Sequence, residues 1–113
     1  MRKEEAVKSM LRSVGDHLKE KLKDPRFREL YELEGEKSKI VSLIIKFRLE
    51  HRLTQGQLAK KVGVTQQQIS KIEQGEFSSL ATVQRVLLAI GHHMVVRAVP
   101  LEPRLRRVFQ AAA

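Results

Sequence analysis

A cysteine-free chain of 113 residues has room for one modest hydrophobic core and an appended element, which excludes a disulfide framework and a second, catalytic domain and fits a reducing cytoplasm. Lys and Arg total 22 against 13 Asp and Glu, a formal net charge of +9, the balance of a chain that neutralises phosphates. With no tryptophan and 4% aromatic residues there is no stacking platform for single strands, and no apolar run approaches the roughly 18 residues of a membrane span, so duplex DNA is the favoured partner and a membrane is not.

Residues 4–23 place Val7, Met10, Leu11, Val14, Leu18 and Leu22 at three- and four-residue steps, the period of an amphipathic helix. Gly15 weakens that helix by about 1 kcal/mol relative to Ala, so the stripe needs a cover: the chain's own core, a second copy, or another protein. Asp24-Pro25 restarts the chain, Asp as cap and Pro at the first helical position, and Phe27, Leu30 and Tyr31 give a second short helix. The acidic set Asp24, Glu29, Glu32, Glu34 and Glu36 either balances Arg26 and Arg28 on one surface or docks a basic partner. Gly35 marks a joint, after which Ile40, Val41, Ile44, Ile45 and Phe47 begin a long buried helix.

Leu53 to Gly75 forms two short helices hinged at a glycine. Thr54 with Gln57, and Thr65 with Gln68, are capping boxes eleven residues apart, in which hydroxyl and amide satisfy orphan backbone N–H groups reciprocally. Between them Gly63 can take the left-handed conformation that closes the first helix. Leu58, Ala59 and Val62 make the inner stripe of the first helix and Ile69 and Ile72 that of the second, with small Ala59 at the closest crossing. Gln66, Gln67, Gln68, Ser70 and Lys71 are left outside the second helix without an apolar purpose. An amide can pair bidentately with adenine in the major groove while Lys and Ser reach bases or phosphates. The candidates for base readout are Gln66, Gln67, Gln68 and Ser70, and those for phosphate contact are Thr54, Gln55, Lys60, Lys61, Thr65 and Lys71. Charge agrees: residues 36–91 hold nine basic and four acidic side chains, residues 1–35 nine and eight.

Ser79 caps a helix carrying Leu80, Val83, Val86, Leu87 and Ile90, which Gly91 stops. From His92 to Val99 the period changes to that of a strand, ended by Pro100. One strand is not stable alone, so Met94, Val95, Val96 and Val99 are candidates for pairing across a two-fold homodimer, which implies a palindromic operator. The tail from Leu101, with Arg104, Arg106 and Arg107, can fray or contact phosphate. His92 and His93 would face opposite sides of a strand, His17 and His51 stand alone, and no catalytic motif or phosphate-binding loop occurs, so no enzyme, metal or cofactor is expected.

The segment Lys39–Gly91 closely resembles the helix-turn-helix of lambdoid phage repressors and the wider Xre/Cro-type group, down to Thr65-Gln66-Gln67 and Glu73-x-Gly75. The fold class expected is therefore all-α: a five-helix core of that type at 36–91, a helical extension at 1–35, one short strand at 92–100, and a basic tail at 101–113. The run Asp24-Pro25-Arg26-Phe27-Arg28-Glu29-Leu30-Tyr31-Glu32 ahead of such a core, with a strand behind it, is similar to the HigA-type antitoxins of bacterial toxin–antitoxin pairs, and this extends the likeness to residues 24–99. That resemblance implies an antitoxin that neutralises a RelE/HigB-like messenger-RNA endonuclease and represses its own operon. The toxin-binding candidates are then Val7, Met10, Leu11, Val14, Leu18, Leu22, Phe27, Leu30, Tyr31, Glu32 and Glu34, although residues 1–23 match no motif. The rival reading is a stand-alone Xre-family regulator whose N-terminal helices brace its fold or dimer.

Overall fold

The computed structural model describes residues 2–110, which form six helices: α1 (Arg2–Lys21), α2 (Pro25–Glu50), α3 (Gln55–Val62), α4 (Gln66–Glu73), α5 (Leu80–Ala89) and α6 (Pro103–Phe109). They fall into two compact units, Glu34–Ala98 and the residues up to Leu33 together with those from Val99 onward. None of the described helices is long and apolar enough to cross a membrane.

The unit Glu34–Ala98 is built around one apolar cluster. Ile44 of α2, Leu58 and Ala59 of α3, Ile69 and Ile72 of α4, Val83, Val86 and Leu87 of α5, and Ile90 are buried in it. Ile40, Phe47, Leu53, Val62, Val64, Phe77 and Met94 pack around its edge. Each fully buried Val, Leu or Ile contributes about 1.5–3 kcal/mol of transfer free energy, so the short helices α3, α4 and α5, none stable alone, are held with the end of α2 by a shared interior. Each of them ends in a left-handed residue whose successor's N–H reaches back five residues: Leu53 to Arg48, Val64 to Ala59, Glu76 to Lys71 and His92 to Leu87. The left-handed residue is glycine at 63, 75 and 91, but Arg52 at φ 54° ends α2, where a side chain carries a steric cost that glycine would not.

Two sequence expectations are corrected here. The helix end expected near Gly35 is absent: α2 runs unbroken from Pro25 to Glu50, so the short second helix and the long buried one are a single element, although the boundary between the two compact units falls within it, between Leu33 and Glu34. A lone glycine costs a helix only about 1 kcal/mol, and no proline interrupts the run. The ion pairs Lys37–Glu34 at 3.3 Å, which spans Gly35, and Lys39–Glu36 at 3.0 Å, which follows it, support the helix there. The core thus has four helices rather than five.

The strand expected at residues 92–100 is also absent, and no strand occurs among the described residues. A strand needs a ladder partner, and within one chain none is at hand. Instead the Gln84 side chain serves Met94 alone: Met94 N–H donates to Gln84 Oε1 at 2.6 Å, and Gln84 Nε2 donates to the Met94 carbonyl at 3.1 Å. Val95, Val96 and Val99 follow as irregular, exposed chain.

The other unit has no such interior. No residue of α1 is buried, and Val7, Met10, Leu11 and Val14 are 48–60% exposed, while Leu18, Leu22 and Phe27 are half-buried. Leu30 and Tyr31 are exposed, the Tyr31 ring stacking on Phe27 at 6.0 Å between centroids. The Lys21 ammonium lies 5.5 Å above the Phe27 ring. Glu32 and Glu34 are exposed. The tail, which by its sequence can fray or contact phosphate, contains α6, opened by Pro103 at its first turn with Leu105 and Val108 half-buried. Arg26 Nη2 donates to the Val108 carbonyl at 2.8 Å, filling one of the acceptors left over near the end of α6.

Candidate nucleic-acid interface

Both capping boxes form. At the start of α3, Gln57 N–H donates to Thr54 Oγ1 at 3.1 Å and Thr54 N–H to Gln57 Oε1 at 2.9 Å. At the start of α4, Gln68 N–H donates to Thr65 Oγ1 at 3.0 Å and Thr65 N–H to Gln68 Oε1 at 2.9 Å. Gly63, at φ 83°, turns the chain between them, its N–H bonded to the Ala59 carbonyl. Arg85 of α5 reaches the Gly63 carbonyl at 3.4 Å and steadies the turn from below. Ile69 and Ile72 are buried inward, which leaves Gln66, Gln67 and Lys71 exposed on the outer face of α4 and Ser70 half-buried at its edge.

The candidate residues are not equivalent. Among the described residues the side chains of Gln66 and Gln67 make no hydrogen bond, so each whole amide is available to a ligand. Gln68 is also exposed, but its carbonyl oxygen is occupied by the cap, leaving only its –NH2 group to reach outward. Ser70 Oγ accepts from Gln74 Nε2 at 3.4 Å. Gln55, assigned to phosphate, is half-buried and donates to Glu73 Oε1 at 3.3 Å. Lys60 and Lys61 in the last turn of α3, and Lys71, are exposed and pair with no carboxylate among the described residues. Thr54 and Thr65 are exposed at the two caps, each hydroxyl keeping its own proton to donate.

Three contributors escaped the sequence analysis. Arg48 meets Glu73 through two parallel bonds, Nε to Oε2 at 2.9 Å and Nη2 to Oε1 at 3.0 Å, and also donates to the Leu53 carbonyl at 3.1 Å. With side chains 17% and 6% exposed, this fork ties the end of α2 to the end of α4 and fixes the outer face of α4 from behind. The third is Gly56, whose absent side chain leaves space beside Gln66. No local signal marks these: Arg48 and Glu73 lie 25 positions apart, and glycine within a helix ordinarily reads as a mere weakness.

Two short helices held at a fixed crossing, with amides and lysines outward and no carboxylate on the outer face of the second, can present hydrogen-bond donors and acceptors to a groove and cations to its phosphate walls. This arrangement is a helix-turn-helix. Residues 44–91 match the family model described as Helix-turn-helix, of the Xre/Cro type, which spans the end of α2 and all of α3 to α5. The match points to a DNA-binding transcription regulator. No match to this chain was found among the curated proteins or among the solved structures.

Proposed function

We propose that this chain is a non-enzymatic, sequence-specific repressor that lays α4 in the major groove of duplex DNA. The observation that carries the reading is the outer face of α4, where Gln66, Gln67 and Lys71 stand exposed on a helix fixed at its start by a capping box and at its end by the Arg48–Glu73 fork. In this reading the amides discriminate bases, whereas Lys60, Lys61 and Lys71 with the caps Thr54 and Thr65 hold phosphates. Replacing Gln66 and Gln67 together by Ala should erase the preference at the positions they meet, about 1–3 kcal/mol for each good bidentate pair. A Lys61→Ala exchange should weaken all sequences alike and flatten the salt dependence by about one unit. A double alanine variant with the wild-type sequence preference would refute the reading.

The finer reading is a cytoplasmic HigA-type antitoxin, a homodimer on a palindromic operator that neutralises a basic RelE/HigB-like toxin. Its support is the open apolar face of α1, formed by Val7, Met10, Leu11 and Val14, with the carboxylates Glu32 and Glu34 exposed further along. Apolar anchors buried in an interface core typically cost 2 kcal/mol or more when lost, and rim charges act on association rate. Co-expression of the full chain with the product of an adjacent small basic reading frame tests this. Capture by wild type, lost on Leu11→Asp with operator binding intact, supports the antitoxin; no capture by wild type leaves the stand-alone regulator.

A further inference from the structure

Gly56 lies in the first turn of α3, where its backbone is ordinary: among the glycines φ is positive only at 63, 75 and 91. Conformation therefore does not require glycine at position 56, and alanine would favour the helix. Space is what sets it apart. A Cβ built at Gly15 or Gly35, the other two helical glycines, meets nothing within 4 Å. One built at Gly56 would stand 3.1 Å from Gln66 Oε1 and 3.6 Å from Gln66 Cδ, with Thr54 Oγ1 at 3.9 Å. The missing side chain makes a notch in α3, and the amide of the first residue of α4 lies in it.

We propose that Gly56 is a specificity-determining position, whose notch sets where the Gln66 amide stands when it meets a base edge. This rests on the reading of α4 as the recognition helix. The obstructing atoms are the far end of a flexible side chain, so a methyl group at position 56 displaces the amide rather than the backbone. Base-edge hydrogen bonds hold only over about 2.7–3.2 Å and favour near-linear geometry, so displacement by a few tenths of an ångström, or a change of rotamer, alters which base fits. Gly56 touches no base itself; it acts through Gln66 as a positioning residue.

The test is selection of binding sites from a randomised duplex library by the full chain as wild type, Gly56→Ala, Gln66→Ala and the double variant, alongside thermal melting and the side-chain amide NMR signals of the free proteins. Gly56→Ala should keep or slightly raise the melting temperature and shift the Gln66 amide signals. It should change the ratio of best to next-best base by about fivefold or more at the operator position that Gln66→Ala identifies, with the other positions kept within about twofold. In the Gln66→Ala background it should have no further effect on preference. Unmoved Gln66 signals, an unchanged preference at that position, or the same change of preference with Gln66 already removed would each overturn the proposal. If Gln66→Ala itself alters preference nowhere, base reading by α4 at this residue fails, and the role of Gly56 fails with it.

Discussion

Helices α1 and α5 are both amphipathic, yet they end in opposite situations. Val83, Val86 and Leu87 of α5 are at most 2% exposed, whereas no residue of α1 is buried and Val7, Met10, Leu11 and Val14 face outward. Helical spacing of apolar residues, common to both, does not account for the difference. It lies in what the neighbouring sequence can build: α3 and α4, each started by a capping box and stopped by a left-handed residue, supply a ready wall for α5. Periodicity shows which face of a helix is apolar, and the caps and turns around it decide whether that face is covered within the chain.

Mutation should widen or collapse this contrast. The largest effect is expected in the core: Leu87→Ala should cost about 2–5 kcal/mol in denaturant unfolding, while Leu11→Ala on α1 should stay within about 0.5 kcal/mol. Equal costs would mean that α1 has a buried role in solution. Next, Glu73→Ala strips Arg48 of its partner inside the core unit and should cost about 3 kcal/mol. Glu20→Ala removes an ion pair of similar length, Lys23–Glu20 at 3.0 Å, but with both side chains 73% exposed, and should cost well under about 1 kcal/mol. Thermal melts of the two variants side by side measure the gap. A smaller loss, about 1 kcal/mol, is expected for Thr65→Ala, seen as earlier unfolding together with faster amide exchange at Gln68, whose N–H loses its acceptor. The smallest change should be a gain: Gly35→Ala, in open space within α2, should stabilise by about 0.5–1 kcal/mol, and a loss there would show that position 35 bends or is contacted.

How far the structure could be read from the chain follows the range of the interactions. Thr54 with Gln57, Thr65 with Gln68, and the turn at Gly63 are set by residues within a few positions of each other, and they form as the sequence indicates. The inner residues Leu58, Ala59, Ile69 and Ile72 follow from helical spacing and are buried as expected. The helix end expected near Gly35 does not form, because a breaker's cost of about 1 kcal/mol is small against the continuation of a long helix. His92 to Val99 misled because β-branched composition describes what a strand would need, whereas Gln84, ten positions before Met94, decides what that segment bonds to. The helix α6 had a local sign in Pro103, overlooked beside the basic charge of the tail. On the interface, exposure of Gln66, Gln67 and Lys71 was legible, but the second duty of Gln68 in its cap was in plain view and conflicted with full base readout. Arg48 with Glu73, and Gly56 with Gln66, depend on how separate helices approach, which one sequence does not disclose.

The inward turn of Glu73 also governs how a polyanion would first be met. It is the single carboxylate of α4, and Arg48 and Gln55 hold its oxygens below the surface. Screening at physiological salt confines the field of each charge to about 8 Å, so a carboxylate and a guanidinium locked together act as a nearly neutral pair at the range of first encounter. Lys60, Lys61 and Lys71 then act at full strength, and capture of a duplex should slow with added salt as though α4 carried no acid at all.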